Sequence, residues 1–90
     1  MLSSSTLATA VIDCSQARNN MDKLMCSNTE LGQLDDQMVR VFREAFFHTK
    51  EKQSLLEQQR DWIRNVRDLC NDTPCLRKAY SDRIDVLQGQ

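Results

Sequence analysis

Apolar residues recur at three- and four-residue steps through most of this chain, and each run of the pattern predicts one helix. The clearest run is Leu31, Leu34, Met38, Val41, Phe42, Ala45 and Phe46, with Gln33, Asp36, Gln37, Arg40, Arg43 and Glu44 on the opposite side. It predicts a long helix from about 29 to 48. A second stripe, Leu55, Leu56, Gln59, Trp62, Ile63, Val66, Leu69 and Cys70, predicts a helix from Ser54 to about 70, opened by the capping box Ser54-x-x-Glu57. A third, Leu76, Ala79, Tyr80, Ile84 and Leu87, predicts a helix capped by Thr73, with Pro74 at its first position and Gly89 as its stop.

Ahead of these, Asn19 is placed as the N-cap of a short helix from about 20 to 27, with Asp22 in its first turn. Ser27-x-x-Glu30 forms a second capping box that separates it from the long helix. Short connections make successive long helices antiparallel neighbours, so the expected fold is all-α, with three main antiparallel helices and the short helix across one end. Leu34, Phe42, Trp62, Leu76, Tyr80 and Ile84 are its expected core.

Composition agrees: two glycines and one proline accompany many Leu, Met, Gln, Glu, Arg and Lys, which keep most of their side-chain freedom in helices. Twelve Lys and Arg against 13 Asp and Glu give a formal net charge of -1. No broad basic field exists to hold nucleic acid, and no run is apolar enough to span a bilayer. The folded domain is expected over 13–88. Residues 1–12 read as a disordered leader or signal-peptide remnant, in which Ala8-Thr9-Ala10 resembles a cleavage pattern.

A chain of 90 residues buries only about 60% of its unfolded surface, so cross-links matter here. Cys14, Cys26, Cys70 and Cys75 lack any Cys-x-x-Cys spacing, and the one histidine, His48, is remote from them in sequence. Disulfides are expected instead of a metal site, and with them an oxidising compartment. On one continuous helix Cys14 and Cys26 would stand about 18 Å apart, so bridging them requires residues 14 to 19 to fold back.

Several spaced motifs share a family likeness. Cys14-Ser-Gln-Ala17, Asp22-x-x-Met25-Cys26, Leu31-x-x-Leu34-Asp35, Gln59-Arg-x-Trp62, Arg67-x-x-Cys70, Cys75-Leu76-x-x-x-Tyr80 and Arg83-Ile84-x-x-Leu87 resemble the LprI-type lysozyme-inhibitor family over about 14 to 87. The resemblance implies a periplasmic or secreted helical domain stapled by disulfides, with inhibition of a lysozyme as its activity. The departures keep capping and core chemistry: Asn19-Asn20-Met21-Asp22 stands where the family often has Thr-Pro-x-Glu, and Phe46 stands near a frequent Tyr.

Four cysteines permit three pairings. Cys14 with Cys26 and Cys70 with Cys75 is preferred, because each pair encloses its own local element; a crossed pairing is the alternative. Trp62 is read as a core anchor. Arg64, Arg67, Arg77 and Arg83, interspersed with Asp61, Asp68, Asp72 and Asp82, are read as solvated ion pairs, and Asp35 as a partner for one of these arginines. Partner contacts are assigned to Phe47, His48, Lys50 and Lys52 around the polar 49–53 stretch, with the corner at 71–74 as a second place. No nucleophile and base assemble, so catalysis, cofactors and metals are not expected. Two functions remain: occlusion of a lysozyme-type muramidase, or an envelope protein-binding or scaffolding module without that inhibition.

Overall fold

The computed structural model describes residues 14–16 and 20–89. The expected leader and the Asn19 cap lie outside them. Four α-helices follow one another: α1 Asn20–Ser27, α2 Thr29–His48, α3 Lys52–Asn65 and α4 Thr73–Gln88. Single 3-10 turns at Cys14–Gln16 and Arg67–Leu69 complete the described chain, which contains no strand.

Side-chain contacts fix the register of the bundle. Lys52 reaches back to Phe46, and Gln59 meets Met38, so α3 descends antiparallel to α2. Gln59 also meets Arg83, and Trp62 packs edge-on against Tyr80 with ring centroids 5.1 Å apart, so α4 rises antiparallel to α3. Glu30 pairs with Arg77 and Asp35 with Tyr80, which makes α2 and α4 parallel. This is the up-down-up order expected from short connections. The short α1 packs on the start of α2 and on the Arg67–Leu69 turn, at the end of the bundle where the chain turns from α3 into α4.

The core follows the apolar stripes, with one shift. Phe42, Trp62, Leu76, Tyr80 and Ile84 are buried, as are Leu31, Met38, Ala45, Leu55, Ala79 and Leu87. Leu34 is only half-buried against this core, and its neighbour Asp35 takes the inner position. The reason is the helical repeat: positions 31, 35, 38, 42 and 45 form the continuous inner line, and Leu34 falls on its rim.

At two helix starts a side chain other than the predicted one meets the orphan backbone groups, and a third start is shifted without a side-chain cap. Asn28, not Ser27, caps α2, its Oδ1 accepting from the amides of Glu30 and Leu31 at 3.0 and 3.3 Å. Ser27 instead donates back to the Leu24 carbonyl. Helix α3 begins two residues before Ser54, with Glu51 at its N-cap position and no side-chain cap bond, while Lys52 donates back to carbonyls at the end of α2. Asp72, not Thr73, caps α4 by accepting from the Cys75 amide at 2.9 Å, and Pro74 sits in the first turn, where a missing N–H is harmless. At its other end the Gly89 amide donates to the carbonyls of Asp85 and Val86.

The largest departure is at the end of α3, which stops at Asn65. The following 3-10 turn is tighter than an α-helix, so Arg67 rotates inward while Val66 and Leu69 rotate out, to 44% and 68% exposure, and Cys70 keeps the inner position its stripe predicts. Two disulfides staple the chain, Cys14 to Cys26 and Cys70 to Cys75, with Cα separations of 5.6 and 5.5 Å. The second bridge closes the corner between the 3-10 turn and α4.

Candidate functional site

Two groups of polar residues stand out, one buried and one exposed. The buried group joins three elements. Tyr80 of α4, fully buried, donates its hydroxyl to Asp35 Oδ1 of α2 at 2.9 Å, and the buried guanidinium of Arg67 lies beside them. Arg67 also clasps Asp68 through Nε and Nη2 at 3.1 and 3.0 Å. Burial pushes the Asp35 carboxyl up to about 6, a rise that the Tyr80 hydrogen bond and the Arg67 charge hold in check. The Tyr80 hydroxyl is itself raised far above its ordinary range, first by burial and then by the Asp35 charge.

Beside this trio, Arg83 donates from Nε to Gln59 Oε1 at 2.8 Å, while Gln59 donates to the Met38 sulfur at 3.0 Å. Burial lowers the Arg83 pKa, and its Nη2 is buried without a hydrogen-bond partner. The expectation of four solvated arginine pairs therefore holds only for Arg64 with Asp61 and for Arg77, whose ion pair is with Glu30. Arg67 and Arg83 are interior groups. Their burial follows from the turn at 67–69 and from the side-chain oxygen of Gln59, neither of which the alternation of charge along the chain foretells. The Asp35–Tyr80 link was equally hidden, although one signal existed: Asp35 lies on the 31, 35, 38 line of α2.

The exposed group is at the end of α2. Phe47 is 80% exposed, and His48 and Lys50 are exposed beside it. The link between α2 and α3 is only residues 49–51, shorter than the expected 49–53 stretch, and it is tied in place. The Thr49 hydroxyl oxygen accepts from the Glu51 amide at 3.0 Å, and the Lys52 ammonium donates to the carbonyls of Phe46 and Thr49 at 2.6 and 3.0 Å. That ammonium also lies 4.9 Å over the Phe46 ring. Lys52 thus serves the helix end, which leaves Phe47, His48 and Lys50 as the groups directed outward. His48, Glu44, Ala45, Leu87 and Gln88 line a hollow of about 210 Å³ between α2 and α4. At the opposite end, Asn71 and Pro74 are exposed, while Asp72 is used as the α4 cap.

Among the described residues no three His, Cys, Asp or Glu side chains cluster as a metal site, and no helix is long and apolar enough to cross a membrane. The arrangement defines a small all-helical domain stapled by two disulfides, with a few polar groups set into an apolar core and an aromatic side chain at one exposed end. A family model described as lysozyme inhibitor LprI matches residues 14–87, which takes in all four helices and both bridges, and the chain belongs to that family. Searches of curated proteins and of solved structures gave no match.

Proposed function

We propose that the protein is exported to the periplasm or beyond the cell, and that it inhibits a lysozyme-type muramidase by binding the enzyme and occluding its cleft. The observation that carries this reading is the family match from Cys14 to Leu87, which covers the full set of helices. Two bridges in a small domain accord with an oxidising compartment. The protein contributes no chemistry in this reading; it presents a rigid surface. Phe47, with His48 and Lys50, is the contact proposed for the enzyme. An exposed aromatic ring on a firmly tied helix end is a low-entropy anchor.

The second reading, an envelope scaffolding module, draws on Leu69 and Val66, two apolar side chains 68% and 44% exposed at the other end of the bundle. A cell-wall lysis assay with purified protein and several lysozyme classes separates the two. Dose-dependent protection of the wall supports the inhibitor. No protection at micromolar concentrations against any class removes it and leaves the scaffold.

A further inference from the structure

The outer side of α2 carries a feature that the exposed helix end alone does not describe. Counting 100° per residue from Phe47, Arg43 and Arg40 fall within about 40° of it, at the spacing i, i+3, i+7. All three are exposed. Among the described residues neither arginine has an ion-pair or hydrogen-bond partner, although Asp36 and Glu44 stand nearby on the same helix. Beside them is a hollow of about 300 Å³ lined by Asp35, Asp36, Val39, Arg40 and Arg43. Among the described residues every side chain lining it belongs to α2, and Asp36, about 20° from Phe47 by the same count, shares this face with the two arginines.

Unpaired guanidinium groups next to an exposed aromatic ring combine the two side-chain types that dominate binding energy in protein interfaces. Arginine also matches carboxylates in a planar, two-pronged geometry that lysine cannot reproduce. A muramidase cleft is walled by the carboxyl groups that its chemistry requires. We propose that the outer face of α2, through Arg40, Arg43 and Phe47, is the surface that enters a carboxylate-lined cleft of the muramidase. The helix lies in the cleft as a ridge, its two guanidinium groups meeting acidic side chains and Phe47 filling an apolar subsite. This assignment rests on the inhibitor reading above and moves the centre of contact from the link at 49–51 to the body of α2.

The test compares R40E/R43E and F47A with the unsubstituted protein in the lysis assay, together with association rates measured over a range of salt. R64E/K78E is the control: it changes net charge by the same amount, at exposed sites on α3 and α4. Circular dichroism and melting temperature establish that each variant is folded. The proposal requires R40E/R43E to lose at least about tenfold in potency, chiefly through slower and less salt-sensitive association, and F47A to dissociate faster. The control should stay within about twofold of the unsubstituted protein. Inhibition retained by R40E/R43E, or lost equally in the control, overturns the face while leaving the inhibitor reading intact. Failure of the unsubstituted protein to inhibit removes both.

Discussion

Tyr80 and Asp35 are joined across 2.9 Å in the interior, so that the two parallel helices of the bundle are linked by a phenol donating to a carboxylate. Burial of the Asp35 carboxyl gives the fold a pH response that this contact moderates. Burial raises the Asp35 pKa to about 6 from the 3.8 of a solvated aspartate. The folded state therefore holds this proton more tightly than the unfolded chain does, and the associated stability is fully present below about pH 4 and lost as pH rises through 6. From the separation of the two values, the loss is at most about 3 kcal/mol at pH 7. Asp35→Asn keeps an oxygen for Tyr80 and cannot ionise. Its stability relative to the native protein should rise between pH 4.5 and 7.5 in urea titrations, and a pH-independent difference would refute the role of Asp35.

Tyr80→Phe removes the donor from the same contact. Losing a hydrogen bond to a buried carboxylate costs about 1–3 kcal/mol, and because that bond lowers the Asp35 pKa, the carboxyl should then titrate above 6. Carboxyl carbon shifts measured by NMR would report this directly. A lower Asp35 pKa in the variant would show that the hydroxyl does not favour the ionised form.

The helices and most of the core were legible because they depend on periodicity alone. Leu31, Met38, Phe42 and Ala45 on α2, and Leu76, Tyr80 and Ile84 on α4, needed nothing beyond the 3.6-residue repeat. The cysteine pairing was readable from local closure. What the pattern did not convey was the 3-10 turn at Arg67–Leu69, since a 3.6-residue repeat carries no sign of the tighter turn that buries Arg67. Caps were misplaced by one residue at Asn28 and Asp72 because two suitable side chains stood together each time, and geometry chose between them. The candidate binding surface was half legible: Phe47 was, but that Arg40 and Arg43 have no partner among the described residues is a fact of three-dimensional placement.

The two bridges should contribute unequally. Loop-closure entropy assigns about 2 kcal/mol to the five-residue Cys70–Cys75 loop and about 3 kcal/mol to the twelve-residue Cys14–Cys26 loop. Cys14→Ala/Cys26→Ala should therefore unfold at lower guanidinium concentration than Cys70→Ala/Cys75→Ala. The buried Cys70 side chain makes the second replacement sensitive to packing as well, and alanine at that position adds a cavity cost. Equal or reversed midpoints would show that packing at Cys70 outweighs chain entropy.

Arg83 is a buried charge whose acceptor is the neutral Gln59 oxygen, with Nη2 unpaired. Replacing it alone by methionine strands that oxygen and should cost about 1–3 kcal/mol. Replacing both residues, Gln59→Leu with Arg83→Met, removes the stranded group and the desolvated charge together, so the double variant should be more stable than Arg83→Met alone. Equilibrium denaturation of the full cycle checks this, and strict additivity of the two single effects would mean that the pair is not coupled.

Lys52 distinguishes a structural from a contact role at the end of α2. Its ammonium donates to the Phe46 and Thr49 carbonyls and lies over the Phe46 ring, while Phe47 and Lys50 point away from the fold. Removing a charged donor from a helix C-terminus costs about 0.3–1 kcal/mol in exposed settings, so Lys52→Met should lower the melting temperature by a few degrees while the folded protein keeps its inhibitory potency. Lys50→Met should do the reverse, leaving stability unchanged and weakening inhibition, because Lys50 is exposed and has no ion-pair partner among the described residues. Melting curves and lysis assays on the two variants give a crossed pattern if this division is right. Potency lost in Lys52→Met at temperatures where it is fully folded would place Lys52 in the interface after all.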